Sequence, residues 1–513
     1  MLDYNLVVAV CLVYSAMLFG VAFWAERRAR RGGVGWLRSP LVYTLSLSIY
    51  CTAWTFYGAV GNAARSGLEF AAIYIGPTLV MVGWLWALRK LVRIARAQRI
   101  TSIADLISSR YGKSAMLGGL VTVLAVLGTT PYIALQLQSV TLSFSVFASD
   151  GPGGWGAADH HPTTVFLAVG LAIFTVIFGT RNLEANERHH GVVTAIAIEA
   201  LVKLVALLAV GVFVVWGIAG GPGEMLQRIN ASPVAQSQLD GSRWITLTFL
   251  AAAAFLTLPR MFQVLVVENA DERHLATASW AFPLYLALLC IFVLPIAVVG
   301  LSLLPSGSNP DLFVLTVPLA MQQDGLATLA FLGGFSSATS MVIVAAIALS
   351  TMVSNHIVLP IWLGLRGGGA SMTADVRGVV LAARRLSIGG VLALGYGYYH
   401  YSGGGEALAA IGLVSFAGVV QLLPAMLGGI FWRGATRFGA GLGIAVGFGV
   451  WLYTLYLPSF GPDVFLSREI LEHGAFGLWW LRPQALFGIS GFDPLVHAVM
   501  WSMTLNTAAF CIG

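Results

Sequence analysis

The chain has 513 residues, of which 58% are hydrophobic and only 10% are charged. A soluble domain carries roughly 25% charged residues, so this composition excludes an ordinary soluble globular protein. Apolar stretches of about 20 residues, the length that a helix needs to cross the hydrocarbon core, recur along the whole chain. We therefore expect an integral membrane protein whose net charge of +6 contacts anionic lipid and not nucleic acid.

Apolar length predicts about thirteen transmembrane helices. Their approximate ranges are 5–24, 40–62, 71–95, 114–147, 163–180, 191–219, 244–268, 277–303, 325–359, 385–402, 407–432, 438–457 and 493–513. The first helix follows Asp3 and precedes basic residues, which indicates an uncleaved anchor and not a signal peptide. With the N-terminus outside, 22 of the 28 Lys and Arg residues, including Arg260, fall in cytoplasmic loops. The positive-inside rule then predicts an outer N-terminus and a cytoplasmic C-terminus in a bacterial inner membrane.

The second predicted helix has an unusual centre. Residues 44–61 read TLSLSIYCTAWTFYGAVG, so small and hydroxyl side chains crowd the middle of the span. Discontinuous helices of this composition leave backbone carbonyls facing ion and substrate sites in transporters. Close helix packing through small residues is the alternative.

Two charged residues lie inside the sixth predicted helix. Glu199 and Lys203 are four residues apart with the glutamate first, which is favourable spacing for an ion pair on one helix face. Charged groups at membrane depth are candidates for function by default. Two interpretations stay open, namely an internal neutralised pair and a proton or ion relay.

Several segments resemble the sodium:solute symporter family. They are TSIADLISSRYG at 101–112, Tyr132 to Gln136 within PYIALQLQ, and residues 405–451 with a Gln-x-x-Pro, a Phe-Trp and a basic-glycine turn in the family's order. The resemblance implies an all-α, leucine-transporter-type fold with two inverted five-helix repeats, one extra helix in front and two behind. The internal symmetry is not visible in the sequence, since the seventh predicted helix has no central Gly or Pro before Pro259.

The resemblance also divides the chain into four parts. They are the anchor helix and basic loop at 1–39, a first repeat at 40–219, a second repeat at 244–432, and two C-terminal helices at 438–513.

A narrower resemblance connects the chain with signalling proteins. Residues 178–203, 259–269, 352–360 and 493–503 are similar to the symporter module at the head of certain bacterial sensor histidine kinases. In those proteins PAS and kinase domains follow the thirteenth helix. Because the sequence stops at Gly513, we expect a chain truncated before such domains, whose partner in two-component signalling is a response regulator. The chain itself is not expected to be an enzyme, since it has no nucleophile–base pair, metal-ligand spacing or phosphate loop.

The family's sodium site combines backbone carbonyls from the broken helix with hydroxyls from the ninth predicted helix, because a hard cation prefers oxygen ligands. The resemblance assigns the carbonyls to Ser48 and Cys51 and the first hydroxyl to Ser340. The second hydroxyl position is Met341, which has no oxygen. The neighbouring hydroxyls that could substitute are those of Thr339 and Ser337. Hydroxyls that bond back to their own helix are the alternative.

Other candidate residues concern coupling and the solute. Glu187 occupies the position of a family aspartate that is important for coupling, although a solvated cytoplasmic loop explains it equally well. The candidates for a substrate cavity are Tyr50, Trp54, Tyr57 and Gln136. Aromatic residues also fill interfaces between helices, so core packing is the alternative for them.

Taken together, these features predict a cation-coupled solute transporter that serves as the input domain of a sensor kinase. The solute that the resemblance implies is a small amino acid or carboxylate, and the coupling ion is Na⁺ or H⁺, with no cofactor. Two alternatives stay open. One is a free-standing sodium:solute symporter, and the other is a receptor derived from a symporter that no longer moves its ligand.

Overall fold

The computed structural model describes residues 4–31, 35–36, 39–148, 190–237, 240–365, 375–402 and 407–513, together with 165, 166, 169, 170, 173 and 176. Within these residues, ten helices are long and apolar enough to cross a membrane, or eleven if one bent pair counts as a single span. Apart from the six isolated positions, the predicted helix 163–180 lies outside the described residues, as does Glu187.

The first half of the chain contains α1 (Tyr4–Arg30), α2 (Pro40–Ser46), α3 (Ala59–Ser66), α4 (Ala72–Gly83), α5 (Leu85–Ala97), α6 (Ile103–Arg110), α7 (Ala115–Ala148), α8 (His190–Val212), α9 (Pro222–Ala231) and α10 (Gly241–Thr257). The second half contains α11 (Pro259–Phe262), α12 (His274–Cys290), α13 (Val293–Leu303), α14 (Phe313–Ala320), α15 (Asp324–Val353), α16 (Leu359–Leu365), α17 (Asp375–Tyr401), α18 (Leu408–Val419), α19 (Leu423–Phe431), α20 (Arg437–Trp451), α21 (Arg468–His473) and α22 (Pro494–Ile512). A two-stranded antiparallel hairpin pairs β1 (Leu481–Arg482) with β2 (Ala485–Leu486).

The short elements differ most from the prediction. The predicted helix 71–95 is divided into α4 and α5 at Trp84, whose φ of −112° and ψ of 22° are not helical. The predicted loop before α15 contains α14, which the analysis by apolar length missed because α14 is shorter than a membrane span. Asp311, in the turn before α14, forms a 3.0 Å ion pair with Arg65 and accepts the backbone N–H of Leu408 at 3.1 Å. This buried carboxylate therefore ties α14 to the start of α18.

The second predicted helix is interrupted in the middle, as its composition predicts. Helix α2 continues as a 3-10 turn over Leu47–Tyr50, and Cys51 is extended, with a ψ of 94°. Helical structure resumes in a π-helical turn at Trp54–Gly58 and runs into α3. Residues 40–66 are called the first broken helix below.

A second broken helix comprises residues 241–267. Helix α10 ends at Thr257, Leu258 is extended with a ψ of 127°, and α11 begins with Pro259. Proline suits the first position of a helix because the N–H it lacks would have no partner there. The two parts are bent by 54°. The second half packs against the 3-10 turn of the first broken helix, so the two breaks lie side by side.

Helices α7, α8 and α15 enclose the first broken helix. Helix α15 packs against both α7 and α8. At Gly334 of α15 a Cβ atom would lie 2.0 Å from the hydroxyl oxygen of Tyr57, so the tyrosine ring rests directly on the backbone of α15. The broken helix is thus held in the protein interior, where its unpaired backbone groups need partners from protein or ligand.

Candidate functional site

The carbonyl groups of Ser48 and Cys51 both contact the same cation, which is a side chain of the protein itself. The Nζ atom of Lys203 donates to the Ser48 carbonyl oxygen at 3.1 Å and to the Cys51 carbonyl oxygen at 2.9 Å. Lys203 comes from α8, and only 1% of the residue is exposed. The structure therefore brings the predicted carbonyl donors together around an ammonium group.

Backbone geometry explains why these carbonyls are available. They lie where the first half of the broken helix ends, and terminal carbonyls of a helix lack intrahelical partners. The Ser48 carbonyl also accepts the N–H of Cys51 at 2.8 Å, which closes the 3-10 turn. The C-terminal end of a helix carries partial negative charge, so an ammonium group is favoured there.

Side chains satisfy the other side of the first break. The backbone N–H of Ala53 donates to Oε1 of Gln136 at 3.1 Å, and the N–H of Trp54 donates to Oγ1 of Thr52 at 3.3 Å. The hydroxyl of Thr52 is also 2.9 Å from the hydroxyl of Tyr132. Gln136, a predicted substrate residue, therefore caps the second half of the broken helix.

The predicted hydroxyl ligands bond within their own helix. Ser337 donates to the carbonyl of Gly333 at 2.7 Å, Thr339 to that of Phe335 at 2.9 Å, and Ser340 to that of Ser336 at 2.9 Å. This is the alternative that the sequence left open for these residues. Their role as ion ligands stays a prediction.

Glu199 and Lys203 form no ion pair within 4.0 Å among the described residues, although their charges interact over a longer distance. The ion pairs within 4.0 Å that the structure describes are Arg65–Asp311, Arg93–Glu272, Arg243–Glu69 and Arg243–Asp493. Glu199 instead lines a cavity of about 40 Å³ that Leu18 of α1 and Ser340 of α15 also line. The two charged residues of α8 thus have different surroundings, although they share a helix face.

Arg260 is the site residue that the sequence analysis assigned wrongly. It was counted in a cytoplasmic loop, but its exposed fraction is 0% and it lies in the first turn after the second break. The Cζ atom lies 4.2 Å from the ring centroid of Tyr132. The count places Arg260 in a loop although the predicted helix 244–268 contains it, because an arginine near the end of an apolar stretch usually marks a loop. The neighbouring Pro259 is the signal that could have identified a helix start inside a span.

The guanidinium of Arg260 forms no well-aligned hydrogen bond in the described part of the chain, and the polar group near it is the hydroxyl of Tyr132. Its Nε, Nη1 and Nη2 atoms are all buried and unpaired. A buried charge without hydrogen bonds is costly, and the first turn of a helix is electrostatically unfavourable for a cation. Neither Arg260 nor Lys203 has a described acidic partner within 4.0 Å. The two breaks therefore bring two basic side chains into the protein interior, and the donors of Arg260 have no well-aligned acceptor among the described residues.

Aromatic rings surround this region. The hydroxyl of Tyr50 donates to the carbonyl of Ile73 at 2.8 Å, and its ring meets Phe255 edge-on at 5.7 Å. The ring of Tyr132 stacks on Phe416 at 5.5 Å. The ring contacts of the predicted substrate residues Trp54 and Tyr57 are with Tyr74 and Phe56. The structure therefore places Tyr50 within electrostatic range of the guanidinium and buries Trp54 and Tyr57 among helices.

Comparisons with known proteins are consistent with this architecture. No known family model matches the chain. It is 24% identical to the uncharacterized symporter YodF of Bacillus subtilis (strain 168), over 92% of this chain and 87% of that protein. It is also 24% identical to the uncharacterized symporter YhjB of the same organism, over 82% of each.

Among solved structures, the substrate-bound outward-open state of a Na⁺-coupled sialic acid symporter matches with a TM-score of 0.68 at 15% identity. The match covers 100% of this chain and 99% of that one. It confirms the predicted fold class, an all-α membrane protein of leucine-transporter type. The chain is a multi-pass membrane protein, and the relatives found by sequence are symporters and not enzymes.

Proposed function

We propose that this protein is a cation-coupled symporter of a small solute that carries a carboxylate, and that Arg260 binds the carboxylate. One observation carries the substrate assignment, namely the fully buried guanidinium whose three nitrogens lack hydrogen-bonding partners among the described residues. The names of the sequence relatives support symport.

The chemistry of the guanidinium favours a carboxylate. Its planar, fixed donors match the two oxygens of a carboxylate, which accept parallel hydrogen bonds. A bound carboxylate would neutralise the buried charge and satisfy donors that are otherwise costly to bury. Lys203 adds to the positive potential, and the ring of Tyr132, whose centroid is 4.2 Å from the Cζ atom of Arg260, offers a contact for the remainder of a small solute.

The position of Arg260 fits alternating access. It belongs to the second broken helix, next to the break of the first and inside the protein. Transporters of this architecture bind solutes near the middle of the membrane, where helices are discontinuous. Solute binding would shift the population between outward- and inward-facing states. Inner-membrane location, an outer N-terminus and a cytoplasmic C-terminus are part of the proposal, and the distribution of basic residues supports them.

We retain the role of a sensor-kinase input domain as a finer proposal. Its support is the sequence similarity of residues 178–203, 259–269, 352–360 and 493–503 to such modules.

The natural reading frame tests this role, because a stop codon directly after Gly513 would refute a fusion to PAS and kinase domains. Uptake by proteoliposomes separates the transporter from a receptor that binds its solute without moving it.

A thermal-shift screen tests the carboxylate site. The purified protein is heated with amino acids and short carboxylic acids, each paired with its amide or methyl ester. We expect at least one acid to raise the Tm and its uncharged partner to leave the Tm unchanged, since a ligand stabilises the state that it binds.

Variants identify the residue responsible. R260M is expected to abolish the shift, whereas R93M, which removes an exposed arginine, is expected to keep it. Equal stabilisation by acid and amide, or a normal shift in a folded R260M variant, would refute the assignment.

A further inference from the structure

The fold raises the question of which cation occupies the first break. A sodium ion would be a co-transported substrate at this position, and the sequence resemblance places its backbone ligands at Ser48 and Cys51. The fit can be judged from the donors themselves, because the structure describes both carbonyl groups and the helices that face them.

The described residues do not fit a sodium ion. Both carbonyl oxygens accept hydrogen bonds from Nζ of Lys203, at 3.1 and 2.9 Å. The ammonium already supplies the positive charge that the end of the half helix favours. A metal ion bound to the same two oxygens would lie next to that ammonium in a medium of low dielectric constant, where like charges repel strongly.

Helix α15, which faces the first break, offers few free oxygen ligands for a sodium ion. The position expected to give a second hydroxyl is Met341, and the hydroxyls of Ser337, Thr339 and Ser340 donate within their own helix. Glu199, the acidic residue four positions before Lys203, forms no ion pair with it within 4.0 Å among those described. Glu199 lies close enough to Lys203 for their charges to interact, but it is the ammonium that contacts the two carbonyl oxygens.

We infer that the ammonium group of Lys203 is a built-in substitute for a sodium ion at the first break, so that the protein binds and moves its solute without sodium. A covalently attached cation cannot be exchanged with either side of the membrane. Coupling at this position therefore differs from that of a sodium symporter, although the same carbonyl groups of the broken helix are used. The solute part of this inference rests on the proposed function, whereas the occupancy of the break does not.

Sodium titration of the solute-free protein tests the inference. The Tm is measured in NaCl, KCl and choline chloride at about 0.15 M, close to physiological ionic strength. We expect the same Tm in all three salts for the unchanged protein. A saturable rise that is specific to sodium would overturn the inference. This measurement uses no solute, so its outcome is independent of the carboxylate proposal.

A variant shows whether Lys203 is the reason. K203A removes the ammonium and leaves the two carbonyls in place, so we expect a saturable, sodium-specific rise in Tm that the unchanged protein lacks. If K203A does not fold, K203S replaces it, because a serine is small and adds an oxygen ligand.

K90A is the matched control. The ammonium of Lys90 also donates to a carbonyl, that of Ile430 at 3.0 Å, but away from the breaks. K90A is expected to be as insensitive to sodium as the unchanged protein. A folded K203A or K203S variant that ignores sodium would overturn the inference, since the carbonyls would then form no cation position.

Discussion

The two broken helices solve the same problem in opposite ways. In the first, the carbonyls of Ser48 and Cys51 accept hydrogen bonds from Lys203, and the N–H of Ala53 donates to Gln136. In the second, the chain turns at Leu258, and the next half begins with a proline followed by Arg260. The first break is closed by residues of other helices, whereas the second presents a cation whose donors have no described partner.

This difference indicates that the first break has a structural role and the second a ligand-binding role. A break whose polar groups are satisfied internally costs little and stays in one arrangement. A break that buries unsatisfied donors is held there by the rest of the fold, and such groups are candidates for ligand binding. Lys203 therefore mainly stabilises the structure of the first break, whereas Arg260 mainly serves to bind the solute.

The largest expected effect comes from removing the cation of the first break. K203M takes away the donor to both carbonyls and leaves the extended backbone at Cys51 without a described side-chain partner. We expect the solute-free protein to lose about 2 kcal/mol of stability, because buried acceptors become unsatisfied. A drop in Tm in detergent measures this. If K203M is as stable as the unchanged protein, Lys203 has no structural role at the break.

The second prediction has the opposite sign. R260M removes a buried charge that has no described hydrogen bond, and a methionine of similar length fills the space. We expect the solute-free protein to gain about 1 kcal/mol, since replacing an unpaired buried charge by an apolar group relieves desolvation. The Tm is measured beside that of K203M. If R260M and K203M destabilise the protein equally, the two breaks do not differ in how their polar groups are satisfied.

A smaller effect is expected at the cap of the first break. Q136L removes the acceptor for the N–H of Ala53 while leaving Lys203 in place. The expected cost is about 1 kcal/mol, the usual value for a lost cap. S139A is the control, since Ser139 lies one turn away on α7 and its hydroxyl donates to a carbonyl of the same helix at 2.9 Å. Similar changes in Tm for Q136L and S139A would contradict the capping role of Gln136.

The smallest effect is expected at the exposed end of the second broken helix. Glu272 lies in the turn that follows it and pairs with Arg93 of α5. The hydrogen bond from Arg93 lowers the pKa of the Glu272 carboxyl. A lowered folded-state pKa means that the pair stabilises the protein above the unfolded-state value, about pH 4.3, and that this contribution is lost as the pH falls through the folded-state pKa.

E272Q should therefore lower the Tm slightly near pH 7, and the difference from the unchanged protein should vanish in acid. Exposed ion pairs are weak, so the change should be far smaller than that of K203M. A Tm difference that persists at low pH would show that the charge of Glu272 is not its cause.

Most of the predicted spans were identifiable because the bilayer imposes a minimum apolar length on every helix that crosses it. The break in residues 44–61 was also predictable, since small and hydroxyl residues at mid-span are costly unless the backbone is used. Helix α14 was missed because it is shorter than a span. The second break was missed because apolar length joins residues 244–268 into one helix, and Pro259 lies too near its end to indicate a central interruption.

The sequence alone thus determined the membrane class, the order of the helices and the location of the first break, since hydropathy and helix length are local properties of the chain. The tertiary structure decided which cation meets the carbonyls of Ser48 and Cys51, because Lys203 is about 150 residues distant in sequence and reaches them only through helix packing. It also decided that Arg260 lies inside the protein against Tyr132. A charge in an apolar stretch is ambiguous until its neighbours in space are known, because burial and pairing are set by contacts between distant segments.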